Sequence, residues 1–460
     1  MRIPIGLTLI AALIALVVVV IIGEQVIAPV RPLILDAGFA PDTITPNADG
    51  DSDVTILSYG LSRNAHVTVT FTNAAGQTYS FRQNEARIPD NYEVAFSGVV
   101  DGFTLPGESF GDQKIERRLI PDGTYTWKLV ATDDSGATDQ RTGTLTVKDG
   151  DDTLPQITDF TVYPTVFTPN QDGIADRTSI NAFVTKDSTL TAYLVGSDGT
   201  DYYLSERQED NLTGKAGRHL FDYDGGVDNN VDPPPDGAYQ IIATAQDAEG
   251  QVIERSSALT IQEGGKPYAQ IVPQPVGVSV VFATMPWDDK YLTTRDHVGA
   301  LVDPPNDPES LAMTTLSLDV GDMLVFKLTV DNYGKVPIRT TGPAPGTVYQ
   351  WDQRASTLGL PDEAGAWRVG IDCTTAMSDY PWRWALGDHK SLQSQVDPVS
   401  GNTYYYLPAG ATAVVWGAVR MTDIEAYNPQ DCWAGLIHEQ VSIDPVNQNV
   451  GARSVELVQP

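Results

Sequence analysis

Thr45-Pro46-Asn47-Ala48-Asp49-Gly50-Asp51-Ser52-Asp53 and, 123 residues later, Thr168-Pro169-Asn170-Gln171-Asp172-Gly173-Ile174-Ala175-Asp176 are one pattern, T-P-N-x-D-G-x-x-D, written twice. The same offset pairs Val67 with Leu190, Phe71 with Leu194 and Gly76 with Gly199. Further along, Pro121-Asp122-Gly123-Thr124-Tyr125 matches Pro235-Asp236-Gly237-Ala238-Tyr239, and Leu145-Thr146-Val147 matches Leu259-Thr260-Ile261, now at an offset of 114. A self-match at fixed spacing marks a structural unit repeated in tandem. The change of offset places about nine extra residues of the first copy between Gly76 and Pro121, in the Gly/Pro-bearing stretch from Asp101 to Asp112, where a loop absorbs an insertion cheaply.

Inside each copy the period is that of strands. His66-Val-Thr-Val-Thr-Phe-Thr72 alternates polar and apolar residues, and Thr124-Tyr-Thr-Trp-Lys-Leu-Val-Ala131 nearly does, both bounded by Asn, Asp and Gly. Several short strands at turn-punctuated spacing predict a two-sheet antiparallel sandwich. The opening F-x-P-N-x-D-G-x-x-D, complete from Phe167 and with Ile44 for Phe in the first copy, resembles the Ig-like domains at the C-terminus of the flagellar hook-capping protein and related bacterial surface-protein modules. So does the closing P-D-G-x-Y-x-W-x-(L/V)-x-A-x-D-x-x-G, which runs from Pro121 to Gly136 and, with Ile241 for Trp, from Pro235 to Gly250. The resemblance covers residues ~35–264. It implies Ig-like sandwiches and says little about function, because one fold serves as spacer, cap and attachment module.

Residues 265–460 are a different unit, holding seven of the eight tryptophans and both cysteines. Apolar runs such as Met323–Asp331 and Ala411–Val419 predict a larger β-sandwich, with long loops at 342–346, 358–366 and 377–404. The expected fold is all-β: a membrane anchor over 1–32, Ig-like repeats over 33–149 and 150–264, and an aromatic-rich β-sandwich over 265–460.

Composition narrows the function classes. Sixty acidic against 29 basic residues give a net charge of −31, which argues against binding nucleic acid, since no basic face is available to displace counterions. Residues 5–22 are 18 consecutive uncharged, mostly apolar residues after Arg2, long enough for an uncleaved membrane anchor, with a cleaved signal peptide as the alternative. With Arg2 the only charged side chain before it, the N-terminus is expected in the cytoplasm and the rest outside it, at the cell surface or in the periplasm. In such a compartment Cys373 and Cys432 are expected to pair, and closing that loop of about 60 residues stabilises by roughly 3–4 kcal/mol.

Candidate sites follow from residue chemistry. Asn47, Asp49, Asp51 and Asp53, and in the second copy Asn170, Asp172 and Asp176, set oxygen ligands around a glycine turn, as a hard cation such as Ca²⁺ requires. The alternative is an Asx turn in which the same side chains accept backbone N–H groups. Trp382, Trp384, Tyr404, Tyr405 and Tyr406 could form an aromatic platform for a polysaccharide or protein partner, or could fill the core. Gly107-Glu-Ser-Phe-Gly111 matches a nucleophile elbow in letters only, because it falls in a loop insertion. His297, His389 and His438 have no metal-ligand spacing. The sequence therefore points to a non-enzymatic extracytoplasmic protein, a stalk presenting a C-terminal β-domain for adhesion, envelope structure or assembly. A carbohydrate-capturing surface module and an accessory subunit of a membrane complex or surface filament are the alternatives.

Overall fold

The computed structural model describes residue 10 and residues 12–18, 31–207, 213–286, 302–307, 313–397 and 400–460. Residues 12–18 are helical, and among the described residues no helix is long and apolar enough to cross a membrane. The rest of the expected anchor, 5–22, lies outside the described residues, as does His297. Nearly everything else is β-structure.

In the first repeat a three-stranded sheet (Ile34–Ala40, Thr55–Leu61, Asn91–Phe96) accompanies a five-stranded one. The latter runs Thr43–Ile44, Thr138–Val147, Gly123–Asp133, Ala65–Thr72 and Thr78–Arg87. Alternation decides which side chains meet: Tyr125, Trp127, Leu129 and Ala131 of one strand and Val67, Val69 and Phe71 of its neighbour are all buried. Phe71 stacks on Phe96 of the opposing sheet at 4.5 Å. The second repeat repeats the plan, with Ile157–Tyr163, Thr178–Val184 and Gly217–Tyr223 in one sheet. Its other sheet holds Asp201–Tyr203, Ser188–Val195, Gly237–Asp247 and Val252–Ile261.

The P-D-G-x-Y motif acquires a physical meaning here. Tyr125 donates its hydroxyl to the Pro121 carbonyl at 2.5 Å, and Tyr239 does the same to Pro235 at 2.6 Å. The Asp of each motif ties down the chain leaving its repeat. Asp122 accepts the amides of Asp149 and Gly150, and Asp236 those of Glu263 and Gly264.

The C-terminal unit has two five-stranded sheets and a small three-stranded one. Strands Met323–Asp331 and Thr412–Arg420 carry the first, and Gln430–His438 and Trp367–Cys373 the second. Trp367–Cys373 is buried at every residue, because the long loops cover its outer face. Arg368, buried in that strand, satisfies its guanidinium on the carbonyls of Thr341 and Pro361 and on the Asp362 carboxylate. Cys373 and Cys432 stand directly opposite on paired strands and form a disulfide.

Trp382 and Trp384 lie wholly inside this core, 0% exposed. Trp384 meets Phe326 and Tyr349 edge-on and donates to the Thr347 carbonyl at 2.9 Å. They fill the sandwich, so the expectation that they contribute to an exposed platform is corrected. Alternation does put both indoles on one face of the strand, but that face is the inner one.

Candidate functional site

The two places where successive units meet each hold a cluster of buried polar groups. At the first joint the inserted stretch of the first repeat folds as a hairpin, Val99–Asp101 with Lys114–Leu119. Lys114–Leu119 then pairs antiparallel with Val252–Ile261, with Ile253 opposite Ile115, so one sheet continues from the second repeat into the first. The hairpin is narrow: a Cβ on Gly102 would stand 1.8 Å from the Ile115 carbonyl. From its second strand Arg118, 4% exposed, grips Glu108 with both terminal guanidinium nitrogens, and Phe110 packs on the cluster of Ile157, Ala182, Val184, Ala243, Ala245 and Ile253. Gly107–Gly111 is thus a packing loop of the joint, without the strand-to-helix turn that a nucleophile elbow needs.

Below the hairpin a single ammonium organises the joint. Lys186 Nζ lies 2.8 Å from Asp247 Oδ2, 2.9 Å from Glu249 Oε2 and 3.0 Å from Asp151 Oδ2, and donates to the Thr153 carbonyl at 3.0 Å. Asp151 and Thr153 belong to the chain joining the repeats, so one cation ties that chain to the second repeat. The three carboxylates hold the lysine charged well above its ordinary range, against the opposing effect of burial. Gln251, fully buried, completes the site by accepting from Leu119 N and donating to the carbonyls of Asp151 and Thr153. The repeat-equivalent pair in the first copy is Arg63 with Asp133, at 2.7 Å.

The second joint is built from the second Asp loop. In both copies the Asx-turn contacts are formed. Asp53 accepts the amides of Asn47, Ala48 and Gly50, and Asp176 accepts those of Asp172 and Gly173. Asn47 and Asn170 each accept the amide two residues on, as do Asp49 and Asp172. Both loops share left-handed backbone at the same three positions: Ala48, Gly50 and Ser52, and Gln171, Gly173 and Ala175. Among the described residues no group of three or more His, Cys, Asp or Glu side chains is arranged to hold a metal ion.

The loops differ in what lies against them. Asp49, Gly50 and Asp51 are exposed, whereas Asn170 and Asp172 are buried against the C-terminal unit. Tyr406 donates its hydroxyl to Asp172 Oδ2 at 2.9 Å, and Arg339 Nε donates to the Asp172 carbonyl at 2.6 Å. His438 Nε2 donates to the Gln171 carbonyl at 2.7 Å, which fixes the proton on that nitrogen. Arg339 is itself held by Glu363 at 2.8 Å, and Gly173 faces the Ala364 carbonyl so closely that a Cβ would stand 2.1 Å from it.

Electrostatics follows the burial. Burial lowers the His438 imidazole to about 4, so it sits neutral against Trp367, 4.4 Å away. Burial, with Asp172 adding repulsion, pushes the Asp176 carboxyl up to about 7. Burial also raises Asp172 and the Tyr406 hydroxyl.

Of the sequence-selected aromatics, Tyr406 belongs to this joint. Tyr404 lies half-buried under Arg339, and Tyr405, also half-buried, stacks on His389 at 4.2 Å. The structure brings Asn170, Asp172, Asp176, Tyr404 and Tyr406 together and keeps Asn47, Asp49, Asp51 and Asp53 apart from them. Lys186, Gln251, Arg339 and Glu363 carry no motif. The one sequence signal for any of them is the repeat itself, which aligns Lys186 with Arg63.

No family model matches the chain, and no curated protein matches it. The hook-capping likeness therefore rests on the motifs alone. Solved structures with similarity include a Ca²⁺-stabilised ice-binding adhesin of an Antarctic bacterium, at 15% identity over 91% of this chain and 72% of that one, with a TM-score of 0.21. A tetra-tandem repeat from the extending region of a large adhesion protein shares 13% identity over 92% of each chain, with a TM-score of 0.18. A two-domain fibronectin type-III segment of chicken tenascin shares 14% over 49% of this chain and 97% of that one, with a TM-score of 0.16. At these TM-scores the functional reading rests on the chain's own geometry.

Proposed function

We propose that this is a non-enzymatic, membrane-anchored extracytoplasmic protein of adhesion type. Residues 5–22 hold it in the membrane, residues 33–149 and 150–264 form a stalk, and residues 265–460 are presented at its far end. The observation that carries this reading is that both joints are built interfaces. A hairpin of the first repeat continues the sheet of the second, and a loop of the second sits in a socket of the C-terminal unit. Units joined in this way transmit position and force along the chain, which suits a stalk. The chemistry-bearing residues are also committed to structure: His438 to a carbonyl and Lys186 to three carboxylates.

The test is protease treatment of intact cells producing the chain with an epitope after Pro460. The expected result is loss of the epitope from intact cells, with the N-terminal fragment recovered in the membrane fraction. An epitope still protected after the outer envelope is removed, or a chain recovered wholly in the soluble fraction, would sink the proposal.

A further inference from the structure

We infer that the cleft beside the second joint binds uncharged glycan; the inference deepens the proposed surface role and rests on it. The cleft encloses about 320 Å³ between the second repeat and the C-terminal unit, at the lower end of the ~300–1,000 Å³ range of ligand pockets. Its wall is mixed in a specific way. Tyr268 and Tyr333 stack on each other at 5.7 Å and remain 37% and 51% exposed, and Trp367 forms the buried side. Asn230, Asp444 and Lys266 place amide, carboxylate and ammonium groups around these rings.

Exposed aromatic surface next to hydrogen-bonding groups suits a ligand that has both an apolar face and a polar rim. A pyranose has that shape, with C–H groups on one face and hydroxyls around the edge. A hydrocarbon ligand would leave the polar groups of the wall unpaired, at a cost. An anionic ligand would meet the Asp444 carboxylate, whereas Asp228 in the same wall is already paired with Arg177. The exposed Val441 in the cleft wall extends the apolar surface along which a chain of sugar units could lie. Lys266 already stands over the outer face of Tyr268, at 5.0 Å, which leaves Tyr333 as the stacking ring.

The experiment uses the purified full-length chain in detergent on an array of neutral cello-, malto-, laminari- and N-acetylglucosamine oligomers, with hyaluronate and heparin fragments as anionic members. A hit is quantified by titration of tryptophan fluorescence, with Trp367 in the cleft wall as reporter. Binding to at least one neutral series is expected, with affinity falling about tenfold or more in Tyr333→Ala and retained in Tyr333→Phe. Tyr203→Ala, which removes a still more exposed tyrosine elsewhere, should bind like the parent. No binding to any neutral member, binding confined to the anionic members, or binding indifferent to Tyr333→Ala would each overturn the inference. Because the array uses purified protein, its failure is distinguishable from a failure of the surface location, which the protease experiment reads separately.

Discussion

Lys186→Met disconnects the first joint at its shared cation. It removes the one ammonium shared by Asp151, Asp247 and Glu249 and leaves a methionine of similar length. The Asp247 and Glu249 side chains are 0% and 4% exposed, so neither can turn to water once its partner has gone. Breaking a buried ion pair from one side typically costs about 3–5 kcal/mol, because a charge is left buried and uncompensated. An exposed pair such as Lys215 with Asp187, 67% and 59% exposed, is screened by solvent and contributes little, and Lys215→Met provides the comparison.

The assay is hydrogen exchange of the amides in Val252–Ile261 and Thr178–Val184, which reads local opening free energy without assuming that the multidomain chain unfolds in one step. The opening free energy should fall by about 3–5 kcal/mol in Lys186→Met and change little in Lys186→Arg. Protection no weaker in Lys186→Met than in Lys215→Met would refute the reasoning, since it would mean that the three carboxylates are solvated.

Three further outcomes are expected. Gly173→Ala and Gly50→Ala both place a Cβ on left-handed backbone, so the strain of about 1–2 kcal/mol is common to both; only Gly173→Ala also drives that atom into the Ala364 carbonyl. Limited proteolysis should therefore separate the second repeat from the C-terminal unit in Gly173→Ala and not in Gly50→Ala, and equal cleavage would count against the socket. Asp176 is raised in the fold to about 7 from its ordinary 3.8, so the folded state binds more protons between those values than the unfolded state. Stability should then rise as the pH falls from about 7 toward 4, and Asp176→Asn should flatten that slope in pH-dependent unfolding; an unchanged slope refutes the assignment. Trp384→Ala should cost about 3–5 kcal/mol by calorimetry as a core truncation, and a cost under 1 kcal/mol would contradict its burial.

The sequence carried much of the fold because the repeat and the period-2 strands are local signals. His66–Thr72 and Thr124–Ala131 read as strands and are strands, and the extra residues expected near Asp101 to Asp112 form the loop of the joint hairpin. Asp122 and Asp236 stood out as motif positions, but their use, holding the chain that leaves each repeat, depends on a turn closing against residues about 27 positions later. The Asp loops illustrate the limit most clearly. Their internal hydrogen bonds are written in nine residues, and both copies share the Asn and Asp turns and the glycine amide held by the last Asp, whereas the burial of one copy depends on Arg339, Tyr406 and His438, more than 160 residues away. The tryptophan pair shows the same limit from the other side. Alternation places Trp382 and Trp384 on one face, and only the opposing sheet decides that the face is inward.

Both joints are held by the protein's own groups: Lys186 in the first, Arg339, Tyr406 and His438 in the second. Pulsed electron spin resonance between labels at Glu93, Asp201 and Asp423, exposed positions in the first repeat, the second repeat and the C-terminal unit, tests this directly. One narrow distance distribution is expected for the 93–201 pair and one for the 201–423 pair, unchanged between chelator and millimolar Ca²⁺. Broad distributions in chelator that narrow when Ca²⁺ is added would contradict it.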